Sequence, residues 1–98
     1  MDVTVDDQDG VHHLTLTGEM DLFSANHVKE AATRLWEGGA TRLLVDLSSL
    51  RYVDSSGIGA LLYIFTAGTK RGCEIFFAGA HGPVLKVIEL TKLRRIFA

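Results

Sequence analysis

The residues able to do chemistry gather in one polar run, Asp54-Ser55-Ser56-Gly57-Ile58-Gly59. A carboxylate and two hydroxyls stand together there, and two glycines follow. The run lies where an apolar strand segment gives way to an apolar helical one. In open α/β sheets, ligand and partner sites collect beyond the carboxyl ends of the strands. A helix N-terminus offers unpaired N–H groups and a partial positive charge, which suits an anion or a phosphorylated side chain. Glycines carry no bulk, so a second protein can approach the backbone closely. The turn therefore has the ingredients of a phosphorylation switch. Asp and Ser ahead of an apolar helix also satisfy plain N-capping. Gly57 and Gly59 can equally serve helix–sheet packing. On spacing alone the capping reading is the simpler one.

Enzyme chemistry finds no support in the motifs. A nucleophile elbow needs Gly-x-Ser-x-Gly, and Val53 or Asp54 stands where its first glycine belongs. A dinucleotide fingerprint needs Gly-x-Gly-x-x-Gly, and Leu62 takes the place of the third glycine after Gly57 and Gly59. There is no Gly-Lys-Ser/Thr phosphate loop. His12 and His13 are neighbours in a strand and point to opposite faces, while His27 and His81 are isolated. No spacing resembles a zinc site. Asp21 and Asp54 can meet at one end of a sheet, but two carboxylates without a base, metal or pocket carry no reaction. The reading is a binding module that is not an enzyme and needs no cofactor or metal.

The elements that must position this turn follow from periodicity. Val3 to Val5 and Leu14 to Leu16 alternate apolar and polar around Asp9-Gly10, which predicts a β-hairpin. Gly18-Glu19-Met20-Asp21 breaks that alternation. Ser24 is the expected N-cap of a helix whose face is Val28, Ala31, Ala32 and Leu35, with Trp36 as a core or rim anchor. Gly38-Gly39 should end it. Leu43 to Leu47 reads as a central strand buried on both faces, and Ser48 to Asp54 as a connecting loop. Ile58, Leu61, Leu62 and Phe65 recur at helical spacing, and Gly72 closes that helix. Glu74 to Ala78 is a further strand. Pro83 suits the first turn of a third helix with the face Val84, Val87 and Ile88. The tail from Leu93 to Ala98 is expected to add a short edge strand. The order β-β-α-β-α-β-α requires crossover connections and hence parallel pairs. The expected class is α/β: a single small domain over residues 1–98, a mixed sheet of four or five strands with a parallel centre, covered by about three or four helices.

Composition agrees. Ninety-eight residues allow one domain, and 47% hydrophobic residues imply a folded globule. A net charge of −2 argues against a nucleic-acid partner. The basic pairs Lys70-Arg71 and Arg94-Arg95, the latter with Lys92, sit at the ends of apolar segments, where cations suit helix C-termini. The lone Cys73 excludes an internal disulfide and reads as a partly buried structural thiol. Met1 is followed by Asp2, Asp6, Asp7 and Asp9, unlike a secretory leader. The uncharged stretch Ser55 to Thr69 is too short to span a bilayer. The expectation is a cytoplasmic protein with no membrane anchor.

Leu44-Val45-Asp46-Leu47-Ser48, followed by Val53-Asp54-Ser55-Ser56-Gly57-Ile58-Gly59, resembles the core of the STAS domain family, and most closely the bacterial anti-sigma factor antagonists. Leu16-Thr17-Gly18-Glu19-Met20-Asp21 resembles the family's other motif, a glycine-acid-hydrophobe-aspartate turn before the first long helix. The two motifs stand at the right separation, and the order of elements agrees over nearly the whole chain. The resemblance implies that the chain binds an anti-sigma factor, a small ATP-using serine kinase, and so frees a sigma factor for RNA polymerase. It implies phosphorylation of Ser55 by that kinase, release of the modified protein, and a phosphatase that resets it. Asp54 would position Ser55 and shape the interface, with Ser56, Gly57 and Gly59 beside it. Glu19 and Asp21 would add contacts at the same end of the sheet. Many relatives continue beyond the point matching Ala98, which leaves the element after Leu93 open. The competing function within the family is a constitutive cytoplasmic interaction subunit of a transporter or other signalling assembly. Ser55 favours the switch.

Overall fold

The structure of the protein, a computed structural model, describes residues 1–90. Strand β1 (Asp2–Gln8) turns back into β2 (Val11–Met20) through Asp9 and Gly10, at φ 54° and 79°. Both turn residues adopt the left-handed region, the geometry whose twist matches a tight hairpin. The chain then runs through α1 (Leu22–Glu37), β3 (Arg42–Val53), α2 (Ser55–Lys70), β4 (Glu74–Ala78) and α3 (Gly82–Glu89). The sheet order is β1-β2-β3-β4, with an antiparallel β1/β2 pair and parallel β2/β3 and β3/β4 pairs. Four strands and three helices are thus seen among the described residues, in the expected order. The expected edge strand from Leu93 to Ala98 falls outside them.

Alternation along the strands builds the core. Leu14 and Leu16 of β2, and Leu43, Val45 and Leu47 of β3, are fully buried on one face. Ile75 and Phe77 of β4 pack against the same cluster, and α1, α2 and α3 close it with Val28, Ala32, Leu61, Ile64, Val84 and Ile88. Each such Leu or Ile contributes roughly 1.5–3 kcal/mol by leaving water. Trp36 belongs to this core, its ring held against Gly68 of α2 and beneath the Arg71 guanidinium, 5.3 Å from the ring centroid. Cys73 is buried, and burial pushes its thiol pKa up, as befits a structural thiol.

Several local expectations change. β3 is not buried on both faces: Leu44 and Asp46 are only half-buried, and Phe76, paired with Leu44, is 46% exposed. Ser48 to Val53 is strand and not loop. It pairs with Thr17 to Met20, so β2 also continues through the segment expected to break it. Register shifts between Thr15 and Thr17, and between Gly18 and Glu19, interrupt the alternation that would have revealed both extensions. Pairing of β3 with β4 ends at Asp46 and Ala78. There the Ser48 hydroxyl and N–H both donate to the Asp46 carboxylate, at 2.7 and 2.9 Å, and His81 Nε2–H donates to the Ser48 carbonyl at 2.7 Å. The chain leading to α3 is fastened to the central strand by that last bond. Leu62, expected on the core face of α2, is 42% exposed; the buried face is Gly57, Ala60, Leu61, Ile64 and Gly68. Pro83 does sit in the first turn of α3.

Candidate functional site

Two parallel strands end side by side, and each hands its chain to a helix. Met20 of β2 pairs with Val53 of β3, and the next residues are Asp21 and Asp54. The Asp54 N–H donates to the Met20 carbonyl at 3.2 Å, which holds the two exits together. Each aspartate has extended backbone dihedrals and is the N-cap of its helix.

At α1 the cap is reciprocal. Asp21 Oδ1 accepts from the Ser24 N–H at 2.9 Å and from the Ser24 hydroxyl at 2.8 Å, while the Asp21 N–H donates to Ser24 Oγ at 3.0 Å. The helix therefore starts three residues before the expected Ser24 cap. Ser24 is the third helical residue and the other half of a capping box. The Ser24 N–H, and then its hydroxyl, hold the Asp21 carboxyl below the usual carboxylate range. At α2, Asp54 Oδ1 accepts from the Gly57 N–H at 3.0 Å. Both carboxylates are committed to helix starts, so they do not form a paired acid.

This assignment separates the two serines. Asp54 performs the capping, so neither serine is needed for it. Ser55 is the first helical residue and is exposed, and among the described residues its hydroxyl makes no hydrogen bond. Ser56 is second and half-buried. The N–H groups of these two positions belong to the orphan donors of a helix start.

The two glycines also separate. A Cβ on Gly57 would overlap Val53 Cγ2 and lie 3.2 Å from Met20 Cγ and Sδ, so α2 rests on the strand ends at a point where only glycine fits. A Cβ on Gly59 would meet nothing within 4 Å. Gly59 lies four residues after Ser55, on the same outward stripe, and no packing demand accounts for it. Glu19 is exposed and borders a shallow depression with Met1, Asp21, Phe23, Ser24 and His27. The structure thus brings Glu19, Asp21, Asp54, Ser55, Ser56, Gly57 and Gly59 to one end of the sheet.

Leu22 and Phe23 escaped the sequence reading. They are 65% and 88% exposed, although both are bulky and apolar. The signal lay in the cap: with Asp21 and not Ser24 as N-cap, these two become the first helical residues, beyond the reach of the core. Among the described residues, no three His, Cys, Asp or Glu side chains converge to hold a metal ion, and no helix is long and apolar enough to cross a membrane.

A parallel-centred sheet thus carries a capped Asp-Ser-Ser-Gly helix start beside a second capped helix start. The chain belongs to the STAS domain family, whose model matches residues 2–98. It is 30% identical over 81 residues to the anti-sigma-B factor antagonist of Listeria monocytogenes, covering 83% of this chain and 71% of that one. It resembles the crystal structure of an anti-sigma factor antagonist from Mycobacterium paratuberculosis, with TM-score 0.80 and 26% identity, over 98% of this chain and 81% of the other. A putative anti-sigma factor antagonist from Thermotoga maritima shares the fold with TM-score 0.87 at 22% identity, over 97% and 82% of the two chains.

Proposed function

We propose that this chain is an anti-sigma factor antagonist: it binds an anti-sigma factor that is an ATP-dependent serine kinase, and phosphorylation of Ser55 ends that binding. The observation that carries the reading is the position of Ser55. Its hydroxyl is exposed and, among the described residues, unengaged at the first residue of α2, while Asp54 does the capping that would otherwise explain a serine there. Phosphorylation adds about −1.5 to −2 charges. Asp54 is adjacent and Asp21 closes the neighbouring strand, so the added charge makes this end of the sheet strongly anionic. A partner surface that fits the neutral turn is then repelled. The orphan N–H groups of α2 accommodate the phosphate, so the switch needs no refolding. A phosphatase restores the binding form. The protein acts in the cytoplasm, without nucleic acid or membrane as a partner.

The test is a binding titration of the cognate anti-sigma factor with unmodified and enzymatically phosphorylated protein. The expected result is tight binding of the first and loss of binding for the second. Equal affinity of wild type, Ser55→Ala and the phosphorylated form would remove the switch.

A further inference from the structure

We propose that Leu22 and Phe23 are apolar anchors for the protein that reads Ser55, and that this partner presents an apolar pocket beside the site that receives the serine. The inference rests on the function proposed above and adds a second contact to it. Leu22 and Phe23 are 65% and 88% exposed, and they sit at the first two positions of α1, immediately after the Asp21 cap. An aromatic held in water on a rigid helix start fits the pattern of an interface hot spot. The pair is also continuous with the Ser55 turn. The β2 and β3 exits are joined by the Asp54 N–H to Met20 carbonyl bond, so α1 and α2 begin side by side. Asn26, Lys29 and Thr33 line the groove between these helices, facing Tyr63 of α2. Leu22 lies four and seven residues before Asn26 and Lys29, which puts it on the same stripe, at the head of that groove. Phe23, one residue on, borders the depression that contains Glu19, Asp21 and His27.

The occupant is a protein and not a lipid surface. Glu19 and Asp21 precede the pair and share the depression that Phe23 borders, and the whole chain carries a net charge of −2, so an anionic membrane would repel this end of the molecule. Two side chains are also far less apolar area than an interfacial helix inserts.

The experiment titrates the cognate anti-sigma factor kinase, in the presence of ADP, with wild type, Phe23→Ala, Leu22→Ala and the double variant. Thermal melts and sedimentation of each protein alone accompany the titrations. The expected result is binding weakened roughly tenfold or more by Phe23→Ala, and further in the double variant. Melting temperatures should stay unchanged in all three variants. Affinity within about twofold of wild type for the double variant, with Ser55 still phosphorylated in a parallel incubation with ATP, overturns the anchors and leaves the switch standing. Failure of wild type to bind the kinase at all overturns the switch and the anchors with it. Two further results also refute the proposal, because each assigns the pair to another occupant. One is a dimer that Phe23→Ala dissociates, and the other is binding to phosphatidylglycerol vesicles that Phe23→Ala abolishes.

Discussion

Asp21 and Asp54 are structural counterparts: each follows one member of the Met20/Val53 pair on adjacent parallel strands, and each caps the helix that leaves its strand. Their side chains differ in what they hold. Asp21 is locked in a reciprocal box with Ser24, whereas Asp54 accepts a single N–H, from Gly57. The second cap lacks a serine at its third helical position because Gly57 must lie flat on Val53 and Met20. The two serines of α2 are left outside the cap.

Asp54→Ala should therefore destabilise the protein by about 0.5–2 kcal/mol, the usual value of an N-cap. Asp54→Asn should recover most of the loss, since an amide oxygen still accepts from the Gly57 N–H. Urea melts of the three proteins measure this. An equal loss for Ala and Asn would mean that the charge, and not the cap, is what α2 requires.

The Asp21 cap should make stability depend on pH at the acid end. Its folded-state pKa is lowered from 3.8, first by the Ser24 N–H. A carboxyl with a depressed folded pKa contributes stability that is fully present above its unfolded value. That contribution is lost as pH falls through the lower folded value. Wild type should thus lose stability relative to Asp21→Asn as pH drops below about 4, with no difference in slope near neutrality. Parallel curves for the two proteins throughout the acid range would show that Ser24 does not favour the ionised form.

The two glycines should respond to substitution in opposite directions. Gly57→Ala forces a methyl into Val53 and should cost about 1–3 kcal/mol. Gly59→Ala meets open space and should stabilise α2 by up to ~1 kcal/mol. Gly59→Leu should share that tolerance in the free protein while weakening partner binding, because the added side chain stands on the stripe that carries Ser55. Thermal melts paired with calorimetric titration separate the two effects. Unchanged binding for Gly59→Leu would leave this glycine without a role.

The sequence disclosed the elements better than their ends. The hairpin at Asp9-Gly10 is legible because alternation and turn chemistry agree there, and Leu43 to Leu47 and Glu74 to Ala78 because each is a short apolar run bounded by breaks. Ser48 to Val53 is not, because its strand character comes from pairing with Thr17 to Met20, across register shifts that no single segment shows. The α1 cap lies at Asp21 and not at the expected Ser24 for a related reason. Asp21 and Ser24 are both good N-cap residues, and only three-dimensional geometry shows that they act reciprocally. A cap at Ser24 would leave Leu22 and Phe23 ahead of the helix, whereas the Asp21 cap makes them its first exposed turn. The polar turn at Ser55 was plain from composition. The distinct duties of Gly57 and Gly59 needed the neighbouring Val53 and Met20 atoms.

The identity of the reacting serine is the sharpest consequence of the Asp54 cap. Incubated with its kinase and ATP, the protein should gain one phosphate, on Ser55 and not on Ser56. With Asp54 as N-cap, Ser55 is the first residue of α2 and Ser56 the second. Ser55 is exposed, and among the described residues its hydroxyl has no hydrogen-bond partner to give up; Ser56 is half-buried. A kinase can therefore reach the Ser55 oxygen without moving the backbone, whereas reaching Ser56 would require the first turn of α2 to open. That turn is held by the Asp54 carboxylate on the Gly57 N–H and by the Ile58 N–H on the Asp54 carbonyl, at 3.0 Å each. Opening it would sacrifice both bonds. Ser55→Ala removes one exposed hydroxyl and no core volume, so it should fold normally, accept no phosphate and hold its partner persistently. Ser55→Asp should weaken binding less than the phosphate does, since one carboxylate carries about half the charge. Phosphopeptide mapping of wild type and Ser55→Ala decides the matter: phosphate on Ser56 in either protein would mean that the first turn of α2 opens for the kinase, and that the exposed hydroxyl is not what the kinase selects.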